Sequence, residues 1–566
     1  MKASDYIASF IQQHGVNIVY GYIGGMITHL VDSIASTQGM QFVQAYHEQS
    51  AAFAAEGYSI ENGSLGVAIS TSGPGATNMI TGIADAWFGS IPVLYISGQV
   101  NSYEYKYDKP IRQQGFQETD IVSIVKPITK YAALVDNAAN LRYELEKAVY
   151  MAQSGRRGPV LLDICMDVQR AEINPDELKS FVPEETKQES NYKISDIAKL
   201  ISSAKRPMFL FGAGAQSDKA KALVSKILNK TQIPAACSLM GLGVVNADYE
   251  YYLGLLGSYG NRCANKSMVD VDLLIAVGSR LDTRQTGAKY QSFVEHGTVV
   301  HVDIDSNELT SHRLQNRMMV CESAEHFLES LLENLPEQTN YTVWQEKLRV
   351  LKNKYSQKME VEGYVNNKSP YRLMESINQH SKVNDVFVAD IGHNQMIAAQ
   401  TLKVDGNKKF VTSGGLAPMG FSLPISAGIA MASPEKRVIS INGDGGFHMA
   451  SQSLMLISQY NLPVITFIVN NESLGMITQF QSLYFNGRMN ATTNGGGYKT
   501  PDFKQLAKAY GLKYYRIDES SLANENLMSE IFAERNCVVD FWTKGLTTIS
   551  PKLEYNKPIY QPTPDW

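Results

Sequence analysis

The stretch Val438–Ser473, VISINGDGGFHMASQSLMLISQYNLPVITFIVNNES, constrains this chain more than any other. Two short, apolar, β-branched runs flank a segment that places Ala450, Leu454 and Ile457 on one helical stripe. That is the pattern of a βαβ unit whose strands are buried on both faces. In a parallel sheet, Asp444 and the pair Asn470-Asn471 leave the same carboxyl edge, where open α/β sheets bind ligands. One carboxylate, one amide carbonyl and a main-chain carbonyl form an incomplete oxygen set. Such a set suits Mg²⁺, which completes its octahedron with water and phosphate oxygens. Gly443, Gly445 and Gly446 keep the turn free of side chains at a helix N-terminus, where an anion can approach. Alone, a Gly-Asp-Gly is equally an ordinary turn and an Asn pair an ordinary loop.

The rest of the chain says which partners to set aside. The net charge of −5, with no long Lys/Arg run, offers no electrostatic footprint for nucleic acid or an anionic membrane. No run of 18 apolar residues exists, and the first residues, MKASDYIASF, carry Asp5 and no apolar core. Neither a membrane span nor a signal peptide is therefore expected, and the expected compartment is the cytoplasm. Five cysteines without a C-x-x-C pair argue against a disulfide framework or a zinc site. Small-molecule chemistry is the expectation, spread over about three or four domains at this length.

From the N-terminus, Asp5 to His14 reads as an amphipathic helix ended by Gly15, followed by the strand NIVYGYI and the turn Gly24-Gly25. The strand MQFVQAY runs into His47-Glu48, where a glutamate in a first helical turn by itself only answers the macrodipole. LGVAIST is a buried strand, and Ser72–Asn78 a Gly-rich strand-to-helix loop of the anion-cradling sort. Together, YGYIGG, YHEQSAAFAAEGY, STSGPGATNMITGIADAW and SIPVLYISGQ resemble the thiamine diphosphate enzymes, and within them the acetohydroxyacid synthase group. The Gly-Asp-Gly and Asn-Asn pair, spaced across a strand-helix-strand unit, resemble the diphosphate and metal motif of the same enzymes.

This resemblance spans the chain and implies a set of roles. Glu48 is the catalytic glutamate, whose acid at the pyrimidine N1′ favours the imino tautomer that removes the thiazolium C2 proton. Gly25, Pro74 and Asn78 belong to the pyrimidine side. In RQQGFQETDIVSIVKPITK, Gln117 is implied in catalysis, with Phe116 near the substrate carbon. Asp444, the side chain of Asn471 and the carbonyl of Ser473 are implied metal ligands, with Gly443, Gly445 and Gly446 at the diphosphate. His393 and Asn394, in a Gly-His-Asn-Gln turn where the group has Gly-Gln-His-Gln, are implied hydrogen-bond donors to the diphosphate. Met419, in the SGGLAPMG loop, is the apolar prop that keeps the cofactor folded, and Met476, in LGMITQFQ, lies at the cofactor. GSRLDTRQTG and HVDID resemble flavin-binding segments, implying Arg280, Asp282, Arg284, Asp303 and Asp305 around an FAD bound for structure and not for redox. The Gly-Ala-Gly of RPMFLFGAGA is weak evidence for a dinucleotide by itself.

Two positions depart from the group. Cys165-Met166 stands where the pattern has Pro-Lys, and Phe480 replaces a tryptophan that helps select the larger 2-ketoacid. Met166, Phe116 and Phe480 are thus the expected substrate contacts, with the acceptor left open. The expected fold is three α/β domains, residues 1–180, 190–345 and 365–545, each with a central, mostly parallel sheet, the first and third sharing a topology. Polar linkers are expected at 174–195 and 333–368, and a proline-rich tail, 546–566, closing over the site. The implied activity is decarboxylation of pyruvate and transfer of the hydroxyethyl unit to a carbonyl acceptor, giving acetolactate when the acceptor is pyruvate. Transfer to a nucleotide-linked ketosugar or another non-ketoacid acceptor is the alternative. A pyruvate oxidase or simple decarboxylase is disfavoured by the synthase-like middle segments, and a silent regulatory homologue by intact Glu48 and Asp444. The resemblance also implies a homodimer or homotetramer, with the cofactor's two halves held by different subunits, and allows a regulatory subunit.

Overall fold

The computed structural model describes residues 1–183, 192–335 and 340–566, so parts of both expected linkers lie outside the described residues. Short apolar runs, each closed by a turn or a helix start, assemble into three six-stranded sheets. The first holds β1 (Ile18–Tyr22), β2 (Gln41–Gln44), β3 (Gly66–Ser70), β4 (Val93–Gln99), β5 (Tyr131–Val135) and β6 (Val160–Cys165), ordered β2-β1-β3-β4-β6-β5. The second holds β7 (Pro207–Phe211), β8 (Ala235–Cys237), β9 (Tyr252–Leu255), β10 (Leu273–Val277), β11 (Thr298–Asp303) and β12 (Arg317–Cys321), ordered β12-β11-β10-β7-β8-β9. The third holds β13 (Val386–Ala389), β14 (Lys409–Val411), β15 (Val438–Gly443), β16 (Val464–Asn470), β17 (Tyr514–Ile517) and β18 (Cys537–Trp542), ordered β14-β13-β15-β16-β18-β17.

Every neighbouring pair in the three sheets is parallel. Helices cover both faces of such sheets, which is why strands such as β3, β4 and β6 are buried throughout. Numbered within each sheet, the third repeats the first position for position, the shared topology expected from the sequence. The middle sheet runs 3-2-1-4-5-6 in its own numbering, the dinucleotide-binding order, with its switch point between β7 and β10. Among the described residues, no helix is long and apolar enough to cross a membrane.

The segment between β15 and β16 is not one helix. It is a helix at Asp444–Met449, a 3-10 turn at Ser451–Ser453 and a second helix at Leu454–Gln459. Ser451 and Ser453 supply the polar side chains that compete with helical backbone bonds, and Ser453 Oγ and Gln452 Nε2 both reach Ser50 Oγ, at 3.2 and 3.3 Å. The break therefore tethers the third sheet's helices to the first domain.

The strongest junction between those domains is a crossing of two equivalent helices, Glu48–Asn62 before β3 and Ser422–Ala432 before β15. A Cβ on Gly57 would collide with the Ile425 carbonyl oxygen, and one on Gly428 with that of Ala54. The two backbones touch directly because both positions lack a side chain. Glu61, at the end of the first helix, accepts from Lys409 Nζ and Ser433 Oγ, each at 2.8 Å, and pairs with Lys436. Elsewhere the tail docks on a buried bidentate pair, Arg262 to Glu360 at 2.6 and 2.8 Å. Ser550 Oγ donates to Glu360, Arg262 donates to the Pro562 carbonyl, and the Trp566 ring stacks on Tyr364 with centroids 4.8 Å apart.

Beside the crossing, Glu56 faces Asp85, whose Oδ1 accepts from Ser413 Oγ at 2.5 Å. Burial raises both carboxyls, Asp85 to about 7 and Glu56 well above its usual range. Acids whose folded pKa exceeds the unfolded value bind protons on folding. Their stabilising contribution is complete below the unfolded pKa and is lost as pH rises through the folded one. The melting temperature should therefore fall between about pH 5 and pH 8. Asp85→Asn, which can still accept from Ser413, should flatten that fall. Melting curves of the two proteins across this range test the pair, and identical slopes would clear it of the effect.

Candidate active site

At the carboxyl edge of the first sheet, β2 is followed by a left-handed residue, Tyr46 (φ 59°), and His47 caps the helix that begins at Glu48 by accepting from Gln49 N at 3.1 Å. After β3, Gly73 (φ 61°) turns the chain into a helix with Pro74 at its first position. Asn78, at the end of that helix, donates to Glu48 Oε2 at 2.9 Å, and a Cβ on Gly75 would sit 3.2 Å from Oε1. One on Gly73 would sit 2.9 Å from the Gln117 carbonyl oxygen, so Gln117, itself at φ 62°, lies against the same turn. Thr71 packs under both Gly24 and Gly75, which brings the Gly25 turn alongside. Glu48, Pro74, Asn78, Gln117 and Gly25 thus form one group around a buried carboxylate. Phe116 is 79% exposed at its rim. Met166 opens the helix Met166–Arg170 after β6, where Asp167 accepts from Ser102 N and Oγ at 2.9 and 2.6 Å.

Sequence reasoning quoted Glu118 in its motif but missed the loop that this residue organises. Ser102–Gly115 is folded around the Glu118 carboxylate, which accepts from the backbone N–H groups of Lys106, Gln114 and Gly115 at 2.9, 2.7 and 3.0 Å. Burial pulls that carboxyl up, but the three donors outweigh it and hold it below the usual range. The ordered loop displays Tyr103, Tyr107, Lys109 and Arg112 to solvent beside Phe116.

At the carboxyl edge of the third sheet, β15 and β16 pair up to Gly443 against Val469, so Asp444 and Asn470-Asn471 leave the sheet side by side. Asp444 starts a helix at once. Its Oδ2 accepts from the backbone N–H groups of Asn471 and Ser473 at 3.1 and 3.3 Å, and its Oδ1 from the Tyr498 hydroxyl at 2.8 Å. Burial raises Asp444 to about 6. Asn471 Oδ1 accepts from Ser473 N at 3.1 Å, closing the oxygen cluster, whereas Asn470 spends its amide on Asp540 at 2.9 Å. A Cβ on Gly445 would lie 3.1 Å from Met419 Cε and 3.2 Å from the Tyr498 hydroxyl, so these side chains border one small space.

His393 opens the helix after β13, with both ring nitrogens buried and without a hydrogen bond of good geometry, Gln479 being only a near neighbour. Burial lowers it to about 4, so at neutral pH it is an uncharged donor. A buried, unpartnered imidazole is costly unless a ligand completes it. Asn394 is arranged differently: its Nδ2 donates to the carbonyls of Asp390 and Ile441 at 2.6 and 3.2 Å, leaving only its oxygen toward Gly443. Asp390, which the sequence reading passed over, accepts from Ile391 N, Gly420 N and Ser422 N at 2.8, 3.1 and 2.9 Å and so fixes the loop that carries Met419. Its signal was visible, an aspartate directly after the buried strand VFVA.

In the middle domain, Arg280 pairs with Asp282 at 3.5 Å, and Asp282 caps the helix Thr283–Thr286. Asp305 caps Ser306–Thr310 and pairs with Arg156 at 3.4 Å, while Asp303 accepts from Asp305 N at 2.9 Å. Arg284 lies over the Tyr259 ring, and the Tyr259 hydroxyl donates to Met476 Sδ at 3.4 Å. Met476 therefore joins the middle domain to the helix Gly475–Tyr484, one turn before Phe480, which is half exposed against Tyr484. Among the described residues, no hydrogen bond or ion pair joins Glu48, Asn78 or Gln117 to His393, Asp444 or Asn471.

Three family models cover this arrangement: the thiamine pyrophosphate enzyme N-terminal TPP-binding domain over residues 1–124, the central domain over 194–331, and the C-terminal TPP-binding domain over 390–541. The chain is a thiamine pyrophosphate enzyme. Within that family it belongs with the acetolactate synthase large subunits. The isozyme 2 large subunit of Escherichia coli (strain K12) is 36% identical over 514 residues, 90% of each chain. The acetolactate synthase large subunit of Lactococcus lactis subsp. lactis (strain IL1403) is 32% identical, covering 93% of this chain and 90% of its own. The probable large subunit of Methanocaldococcus jannaschii is 34% identical, covering 95% and 91%. Thiamine pyrophosphate, also called thiamine diphosphate, is thus the cofactor that this scaffold binds.

A Cβ on Gly475 would fall 2.7 Å from His393 Nδ1. Gly475→Ala should push the imidazole out of place and weaken thiamine diphosphate binding by about tenfold or more, the worth of one hydrogen bond to a charged group. Calorimetric titration with an unchanged melting temperature checks this; wild-type affinity would detach His393 from the cofactor.

Proposed function

We propose that the protein is an acetolactate synthase-type carboligase that decarboxylates pyruvate and passes the two-carbon unit to a carbonyl acceptor. The observation that carries the reading is the buried Glu48 carboxylate held by Asn78 beneath the Gly73–Gly75 turn. When bound, thiamine diphosphate supplies the carbon that attacks the ketoacid carbonyl and takes up the electrons of decarboxylation. Glu48 holds the proton at the pyrimidine N1′, Gln117 and Phe116 orient the ketoacid, and the burial around Glu48 excludes water. His393 donates to the diphosphate, Asn394 shapes the turn beneath it, and Met419 props the cofactor. Pro74 and the Gly25 turn wall the pyrimidine side, and Gly443, Gly445 and Gly446 leave room for the diphosphate.

Asp444, Asn471 Oδ1 and the Ser473 carbonyl would hold Mg²⁺. The donor set fits, since a single buried carboxylate with amide and backbone oxygens leaves positions for water and phosphate. The middle domain fits FAD through its strand order and through Arg280 and Arg284 in the loop after β10, with Asp303 ending β11 and Asp305 following it. A homodimer completes the site from two half-sites. It is supported by apolar side chains exposed beside both halves, Tyr22, Ile23 and Phe116 near one and Met449, Ile477 and Phe480 near the other. Relatives named as large subunits support a regulatory partner as well. Among the described residues the five cysteines form no disulfide, which agrees with a cytoplasmic setting. The domain limits we propose are those read from the sequence.

A second acceptor reading, a nucleotide-linked ketosugar, is favoured by one observation. The Ser102–Gly115 loop, joined to the Met166–Arg170 helix by Ser102 donating to Asp167, carries the exposed cations Lys109 and Arg112 together with exposed tyrosines. Incubation with pyruvate, Mg²⁺, thiamine diphosphate and FAD should yield acetolactate; consumption of pyruvate only when a sugar nucleotide is added would move the assignment to the second acceptor. Glu48→Gln should lower turnover by about 10²–10⁴ while keeping cofactor affinity, and wild-type C2 proton exchange in that variant would falsify the role of Glu48. Phe480→Trp should raise the preference for 2-ketobutyrate over pyruvate by roughly 1–3 kcal/mol, read from the two hydroxyacid products formed in competition. No change would remove Phe480 from the acceptor pocket.

A further inference from the structure

The segment Gly487–Tyr498 has no role in the reading above, yet it is built onto the oxygen cluster. Ser473 and Thr493 form an antiparallel bridge, and Leu474 N donates to the Thr492 carbonyl at 2.9 Å. Thr492 Oγ1 donates to Gln481 Oε1 at 2.6 Å, and Gln481 Nε2 to the Asn490 carbonyl at 2.9 Å. The strap then turns back on itself, with Gly496 N and Tyr498 N both donating to the Thr493 carbonyl at 2.9 Å and Gly497 at φ 101°. The product of this folding is one contact, the Tyr498 hydroxyl donating to Asp444 Oδ1.

The choice of oxygen matters. Oδ2 already carries the two backbone N–H groups from Asn471 and Ser473, so Oδ1 is the oxygen that remains for a cation. A ligating carboxylate is usually oriented by donors on its other oxygen, and here that task is taken. The phenol instead places its hydrogen on the remaining oxygen, beside Met419 and the Gly445 turn. We propose that Tyr498 is the stand-in for the divalent cation: it satisfies the buried Asp444 in the metal-free protein and must give up Oδ1 before metal and diphosphate can seat. The strap and the cofactor then compete for one carboxylate oxygen. This inference rests on Asp444 as a metal ligand.

Wild type, Tyr498→Phe and Asp444→Asn can be titrated with Mg²⁺ at saturating thiamine diphosphate by calorimetry, with melting temperatures recorded in chelator. Tyr498→Phe should melt lower without metal, because Asp444 loses its donor, and should bind Mg²⁺ about tenfold more tightly, because the competitor is gone. Unchanged or weaker Mg²⁺ binding in Tyr498→Phe, with Asp444→Asn impaired, overturns the stand-in role alone. Wild-type Mg²⁺ affinity in Asp444→Asn overturns the ligand reading and the inference with it. Should Tyr498→Phe fail to fold, hydrogen exchange on the wild type decides. Amides of Thr493–Tyr498 should exchange faster when Mg²⁺ and thiamine diphosphate are added, and equal or slower exchange refutes the proposal.

Discussion

Two glycines set the frame of this molecule. Gly57 and Gly428 let the helices Glu48–Asn62 and Ser422–Ala432 cross with backbone against backbone. Because the first and third sheets share a topology, the crossing joins equivalent elements, each leading into the third strand of its own sheet. The consequences reach the chemistry. Glu48 is the first residue of one helix, and Met419 lies three residues before the other, so the crossing fixes the proposed acid and the proposed prop on one rigid frame. A side chain at either glycine would push both off their positions, and overpacking of this kind typically costs about 1–3 kcal/mol.

The parallel sheets do the rest of the placing. Every strand ends on the same edge of its sheet, so the residues that follow the strands converge without long loops. Asp390 after β13, Asp444 after β15 and Asn471 after β16 meet in this way, as do Glu48 after β2 and Pro74 after β3. The same rule gives the middle domain a crevice between β7 and β10, and the chain fills that edge with Arg280 and its neighbours. The topology offers three such edges, and side-chain chemistry decides what each can hold.

Strand periodicity and strand-end residues were legible in the sequence because both are local. Buried runs such as FVAD and VISING mark a strand and its exit together. Asn394 shows where such reading stops: its residue type permits donation to an anion, but its amide hydrogens are committed to the Asp390 and Ile441 carbonyls, which no spacing reveals. Tyr498 lies 54 residues from Asp444, and Glu118 organises a loop that precedes it, so both act through contacts that exist only after folding. The single helix expected between β15 and β16 is broken for a related reason, since Ser453 and Gln452 bond to Ser50 of a domain 400 residues earlier.

The site's electrostatics fit a ligand that brings both signs of charge. Burial pushes Asp444 and Asp390 upward and His393 downward, so each group is held toward its neutral form. A lone cation would find one carboxylate and a lone anion one uncharged imidazole, and neither would repay the loss of its hydration. On the proposed reading, a diphosphate with its metal would bring a positive charge that favours ionised Asp444 and an anionic oxygen that could accept from the buried His393 imidazole. On that reading the cationic and anionic ends of one ligand reinforce each other at this edge, since each answers a group that burial holds toward its neutral form.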